Sequence, residues 1–211
     1  MYRCLAPEKR FFLEGAAAHR LKDYLARMPE VTFINALEEE YRITLPINLG
    51  EFSFYGKVDR IDKRGRYQII LDYKTGRIEG FAKGHFEKRL LSFLLPDELD
   101  HEGLKALKQA IKDLQLPLYV LLVTSGRQEE LARTLSAYIE LGKGGRELYF
   151  VTPERFEGLR DTYISWFSQN FPLLLAYIIG HMIEAPFFYP ATEEETCRFC
   201  EYETICRFSF A

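Results

Sequence analysis

What this chain has little of narrows its character first. It has almost no net charge: 28 Lys and Arg stand against 31 Asp and Glu, a formal balance of -3. Bulk charge therefore does not mark a nucleic-acid binder. Any phosphate contact has to come from a local basic face, because phosphate affinity is built from individual Lys and Arg contacts. No apolar core region follows Met1-Tyr2-Arg3-Cys4, so no secretory signal is expected. No apolar run is long enough to span a bilayer: the richest, Trp166 to Ile183, is interrupted by Ser168, Gln169, Asn170, Pro172 and His181. Internal repeats, low-complexity tracts and linkers are missing, as is the aromatic–basic alternation that reads bases. These absences lead us to expect a soluble, cytoplasmic chain with no membrane association, folded as one α/β domain over residues 1–211. Little sequence specificity is expected of it.

What is present is enough for a real core, with 47% apolar and 15% aromatic residues in a chain of 211. Phe12, Ala16, His19 or Arg20, and Tyr24 recur at helical spacing, so Phe11 to Met28 reads as a helix stopped by Pro29. From Glu38 to Tyr73 the pattern turns to strands: Tyr41, Ile43 and Leu45 alternate up to Pro46, Phe52, Phe54 and Val58 follow, and Tyr67 to Tyr73 is compactly apolar. Gly76 to Asp100 reads as an irregular or partly helical excursion. Leu104, Leu107, Ile111, Leu114 and Leu118 mark an amphipathic helix with Pro117 as an irregularity. Leu135 to Leu141 and Glu147 to Thr152 read as two strands joined by Gly142-Lys143-Gly144-Gly145. A long helix is expected from Pro153 towards Ile183. The segment 185–211 is short on periodicity and holds three of the cysteines.

The chemistry concentrates in Gly56-Lys57-Val58-Asp59-Arg60-Ile61-Asp62 and Ile70-Leu71-Asp72-Tyr73-Lys74-Thr75-Gly76. A turn at Asp62-Lys63-Arg64-Gly65-Arg66 separates them, which makes a hairpin. Such a hairpin brings Asp59, Asp72 and Lys74 to one sheet edge, with Gly56 permitting close backbone approach. Two carboxylates are hard oxygen ligands that suit magnesium or manganese better than zinc, and the Tyr73 carbonyl offers one more oxygen. Lys74 beside them can orient or deprotonate water. This is the equipment of phosphodiester hydrolysis, although Asp-x-Lys by itself is common. His85, His101 and His181 suggest no partners. Arg60, Arg64, Arg77, Lys83, Lys88 and Arg89 cluster near the hairpin in sequence; beside an acidic metal site they could hold phosphates, and plain solvated surface is the alternative reading.

The cysteines are a second signal. Cys197, Cys200 and Cys206 follow a C-x2-C-x5-C spacing flanked by Arg198 and Arg207, and Cys4 stands at the other end. In a cytosolic setting four cysteines point to zinc or an iron–sulfur cluster, with free buried thiols as the plain alternative.

These segments resemble the PD-(D/E)XK nuclease superfamily, and most of all its RecB/AddB-type branch, in which G-x-x-D-R-I-D precedes D-Y-K-T-G. Two further marks of that branch are present: G-x-x-x-H as Gly15 to His19, and Q-x-x-x-Y as Gln115 to Tyr119. Without the resemblance, His19 would be read as an ordinary helix residue, and Gln115 with Tyr119 as a half-buried polar pair. The resemblance implies a restriction-endonuclease-like α/β core, a mixed central sheet flanked by helices. It implies that Asp59, Asp72, Lys74 and Gln115 are catalytic, and that His19, Asp59, Asp72 and Tyr73 hold Mg2+ or Mn2+. Tyr119 would lie beside the site and the nucleic acid, and the charge pattern adds Arg60 and Arg77 as residues that could lie against substrate. The resemblance further implies a 4Fe–4S cluster on Cys4, Cys197, Cys200 and Cys206 that ties the chain ends together, zinc being the alternative. The expected activity is a DNA nuclease, with exonuclease as the expected mode, in recombination, repair or processing, beside a helicase or helicase-like subunit. The rival reading is a catalytically idle nuclease fold that binds DNA or assembles partners around a structural Zn or Fe–S site. The run Glu38-Glu39-Glu40, near the position of a helical Glu in the superfamily, reads as a solvated helix end.

Overall fold

The run Ile69-Ile70-Leu71 is apolar on both faces, and none of the three is more than 2% exposed. That is the pattern of a strand covered on both sides. It forms the middle of β3 (Tyr67–Lys74), the central strand of a five-stranded sheet. The computed structural model describes residues 7–28, 32–47, 50–76, 78, 85–95, 100–185 and 201. The other elements in chain order are α1 (Pro7–Leu25), β1 (Phe33–Ile47), β2 (Gly50–Arg64), α2 (His101–Ile111), α3 (Gln115–Thr124), α4 (Gln128–Leu131), β4 (Thr134–Glu140), β5 (Arg146–Tyr149), α5 (Pro153–Ser165) and α6 (Phe171–Glu184). The four cysteines and Arg77 lie outside the described residues.

The sheet order is β1-β2-β3-β4-β5. Among the described strands β3 and β4 pair in parallel, and the other neighbours are antiparallel. A parallel pair needs a crossover, and α2, α3 and α4 form it. The chain is thus α/β, with a mixed sheet flanked by helices as expected. The β1–β2 hairpin pairs from Phe33↔Lys63 to Ile47↔Gly50, whereas β3 joins β2 only from Arg60 to Arg64. Beyond Arg60, β2 runs on past β3 and is met by α3.

Strand alternation divides the hairpin chemistry between two faces. Arg60, Asp62, Arg64 and Tyr73 face α1, where Tyr24 packs edge-on to Tyr73. Asp72 and Lys74 face α3, where Gln115 reaches both. On the α1 side the close approach depends on Gly145, whose φ is +76° and where a Cβ would lie 2.4 Å from Tyr24 Cδ2. Only glycine tolerates that combination.

Three element expectations change. The helix read across Leu104 to Leu118 is two helices: α2 ends at Lys112, whose φ is 57°. Pro117 falls in the first turn of α3, where its missing N–H leaves no bond unmade, so the helix restarts around it. The long helix from Pro153 is divided by a π-helical segment, Trp166–Asn170, just before Pro172 near the start of α6. That segment buries Trp166 and Phe167 against Phe86, Phe150 and Phe171, with the Trp166 and Phe171 rings stacked at 4.9 Å. The Glu38-Glu39-Glu40 run is not a helix end but exposed sequence within β1, with Lys57 on Glu38. The excursion after Gly76 includes a π-helical turn, Phe86–Leu90. Among the described residues no helix is long and apolar enough to cross a membrane.

Candidate functional site

The site begins where the β2–β3 ladder stops. The last paired position is Arg60↔Leu71, and the next position of that register sets Asp59 opposite Asp72. Instead of a ladder bond, the Tyr73 N–H donates to Asp59 Oδ2 at 2.8 Å. The splay leaves two carboxylates side by side with one of them fixed by the main chain, which the ladder alone would not do.

Across the site, Gln115 at the first turn of α3 joins the remaining groups. Lys74 Nζ donates to Gln115 Oε1 at 2.7 Å and lies 2.8 Å from Asp72 Oδ2. Gln115 Nε2 donates to Asp72 Oδ1 at 2.9 Å and to the Tyr119 hydroxyl at 2.9 Å. The amide orientation follows from its partners, since an ammonium only donates and a carboxylate only accepts. Tyr119 and Leu122 sit directly over Gly56, where a Cβ would lie 3.0 and 2.9 Å from them. Gly56 therefore serves the close approach anticipated for it, and the neighbour it admits is α3.

Asp72 is 4% exposed. Burial pushes its carboxyl above the usual range, while Lys74 pulls it back. Its Oδ2 is buried without a well-directed hydrogen bond, because the Lys74 ammonium is near but poorly aligned. A buried carboxylate oxygen with spare acceptor capacity, next to a second carboxylate, fits a hard divalent cation. Magnesium in particular is often held by one or two carboxylates, with water and substrate phosphate completing its shell. Among the described residues no group of three or more His, Cys, Asp or Glu side chains converges as a metal site. The fit is therefore to a two-carboxylate site.

Other expected site residues stand elsewhere. His19 is 77% exposed on α1 and its Nε2 pairs with Asp23 Oδ2 at 3.5 Å, so it is not brought to the two aspartates. Arg60, expected against substrate, is 2% exposed and forked onto Asp62, with Nη1 donating to the Tyr73 hydroxyl at 3.2 Å. Arg64 is similarly enclosed, bridging Asp62 and Glu147. The reason is parity: Arg60, Asp62 and Arg64 alternate onto the α1 face, while Asp59 faces α3. Neither guanidinium is presented to a phosphate. Lys88 and Arg89 are exposed in the π-helical turn.

Sequence reasoning did not single out Tyr138 or Asp113. Tyr138 lies in register with Asp72 on the adjacent parallel strand, and its ring is 5.0 Å from Lys74 Nζ. Its hydroxyl donates in a short bond to Asp113. Burial, and then the Asp113 carboxylate, push that hydroxyl far above the usual phenol range, so it remains a donor. No local pattern exposes such a pair, because the parallel register is set by the crossover.

A solved structure titled "Crystal structure of SSO0001" is 13% identical, with 95% of this chain and 71% of that chain covered at a TM-score of 0.36. No curated protein matches. The model of the PD-(D/E)XK nuclease superfamily matches residues 3–207, nearly the whole chain. With the Asp59, Asp72 and Lys74 side chains set around the splayed strand ends as an Asp…Asp-x-Lys pattern requires, that match makes the chain a member of the PD-(D/E)XK nuclease superfamily.

Proposed function

We propose that this chain is a divalent-metal-dependent deoxyribonuclease of the RecB/AddB type. The observation that carries the reading is the joined set Asp59, Asp72, Lys74 and Gln115, with a buried Asp72 carboxylate oxygen that no well-directed donor satisfies. Asp59 and Asp72, with the Tyr73 carbonyl, would hold Mg2+ or Mn2+. Bound there, such an ion supplies Lewis-acid polarisation of the phosphate and a more acidic water. The residues themselves do the positioning. The Tyr73 N–H fixes the Asp59 carboxylate, and Gln115 fixes both Asp72 and the Lys74 ammonium. Lys74 orients the attacking water, whose oxygen bonds to phosphorus as the phosphodiester P–O bond breaks; a proton from that water passes to the leaving oxygen, so the products are a phosphomonoester and a hydroxyl. Tyr119 closes the Gln115 side of the site. Support for DNA as substrate is membership of a nuclease superfamily.

The finer reading is exonucleolytic processing in recombination or repair, beside a helicase or helicase-like partner. Its support is the set of RecB/AddB-type motifs at Gly15–His19, Gly56–Asp62, Asp72–Gly76 and Gln115–Tyr119. The same branch assigns a 4Fe–4S cluster to Cys4, Cys197, Cys200 and Cys206, supported by their number and spacing. A brown protein with bound iron and sulfide supports it, and a colourless one with stoichiometric zinc overturns it. The activity is tested on end-labelled linear and closed circular DNA with Mg2+ or Mn2+. Wild type should degrade the linear form, and Lys74→Ala should be slower by on the order of a hundredfold or more. Equal inertness of the two proteins across single- and double-stranded substrates refutes the enzyme reading.

A further inference from the structure

Gln115 ties Lys74 to Asp72, yet its own placement depends on two further residues, Asp113 and Tyr138. The chain leaves α2 at Lys112 with φ 57° and re-enters a helix only three residues later, at Gln115. A helix start leaves its first N–H groups without intrahelical partners. Here Asp113 Oδ1 accepts the Gln115 main-chain N–H at 2.7 Å, which fixes where α3 begins and hence where Gln115 sits. The other oxygen, Asp113 Oδ2, accepts the Tyr138 hydroxyl in a short hydrogen bond.

Tyr138 is 1% exposed on β4, the strand in parallel register with β3, so its position relative to Asp72 is set by the sheet. Its ring packs 5.0 Å from Lys74 Nζ. Its oxygen lies 3.4 Å from Gln115 Oε1. A hydroxyl has a single proton, and the shorter bond to a charged carboxylate claims it. Asp113 thus links the rigid sheet, through Tyr138, to the first residue of the helix that carries Gln115. The Gln115 amide in turn has its two ends on the Lys74 ammonium and the Asp72 carboxylate.

We propose that Asp113 and Tyr138 are positioning residues of the site: a helix-start clamp that locks the Gln115 amide, and through it Lys74, against the β3–β4 strand pair. The proposal rests on the nuclease reading above and adds residues to it. Groups that orient the ligands and functional side chains of metal sites commonly matter about ten- to a hundredfold in activity. Tyr138→Phe is the informative variant, since it keeps the ring beside Lys74 and removes only the hydroxyl. Asp113→Asn keeps a carbonyl acceptor for the Gln115 N–H while discarding the charge.

The experiment uses the full chain with Mn2+ and end-labelled DNA, in single variants and in a Gln115→Ala background. Each single variant should lose roughly tenfold in kcat with KM for DNA little changed. In the Gln115→Ala background the same substitutions should have no further effect, because groups acting through one residue are non-additive. A second readout needs no catalysis. The side-chain NH2 signal of Gln115, assigned by its absence in Gln115→Ala, should shift in Tyr138→Phe. A full tenfold loss persisting in the Gln115→Ala background, or an unmoved Gln115 signal, overturns the positioning role and leaves the nuclease reading intact. An inert wild type is a different result: it overturns the nuclease reading, and the positioning role falls with it.

Discussion

Removal of the buried Asp62 should damage this fold severely. This aspartate is wholly buried and accepts four hydrogen bonds, two from Arg60 and two from Arg64. In Asp62→Ala, Arg64 keeps Glu147, but among the described residues Arg60 at 2% exposure is left with the Tyr73 hydroxyl and Met28 Sδ, at 3.2 and 3.4 Å, and the face of the Tyr24 ring 6.0 Å away. Breaking one partner of a buried pair costs about 3–5 kcal/mol, because the remaining charge is stranded without water. In a chain of 211 residues each kcal/mol moves the melting temperature by roughly 2–4 °C, so the expected fall is roughly 6–20 °C. Urea titration should show a lower midpoint with an unchanged slope. The double variant Arg60→Met/Asp62→Leu removes the stranded charge as well and should recover most of the loss, since buried ion pairs are often replaceable by apolar groups. An Asp62→Ala protein within about 1 kcal/mol of wild type would refute the reasoning, because a loss that small is what an exposed pair shows. A double variant as damaged as the two single effects summed would refute it equally.

Gly56→Ala should cost about 1–3 kcal/mol by overpacking, since the new methyl meets Tyr119 and Leu122 at 3.0 and 2.9 Å. It should also lower kcat by moving Gln115, and wild-type values for both melting temperature and kcat would show that α3 is not held that closely. Glu147 carries the pH prediction. Burial pushes its carboxyl up, but the Arg64 fork and the hydroxyls of Tyr149 and Tyr24 outweigh that and hold it below the usual range. A carboxyl with a lowered folded pKa stabilises the fold above its unfolded value, and that stability is lost as pH falls through the folded value. Unfolding free energy should therefore drop more steeply on acidification below 4.5 in wild type than in Glu147→Gln; parallel acid limbs would contradict the assignment.

The sequence by itself determined the things that local chemistry controls. Period-2 alternation and the turn at Gly65 make the β2–β3 hairpin, and extending its register sets Asp59 opposite Asp72. Pro153 starts a helix, and the apolar run at Ile69 to Leu71 belongs to a strand covered on both faces. The motif order was enough to identify the superfamily, which the family match over residues 3–207 bears out. Other features needed the tertiary structure, because they depend on which strand lies beside which and on which face each side chain points. Arg60 and Asp59 are adjacent in sequence, yet strand parity sends one to the α1 face and the other to the α3 face. The break at Lys112 hides inside a continuous apolar pattern, since Leu114 and Leu118 keep the spacing of α2 after the helix has ended. Asp113 and Tyr138 meet across 25 residues of chain. Only the parallel pairing of β3 with β4, fixed by a crossover of helices and not by any local preference, brings that tyrosine beside Asp72 and Lys74.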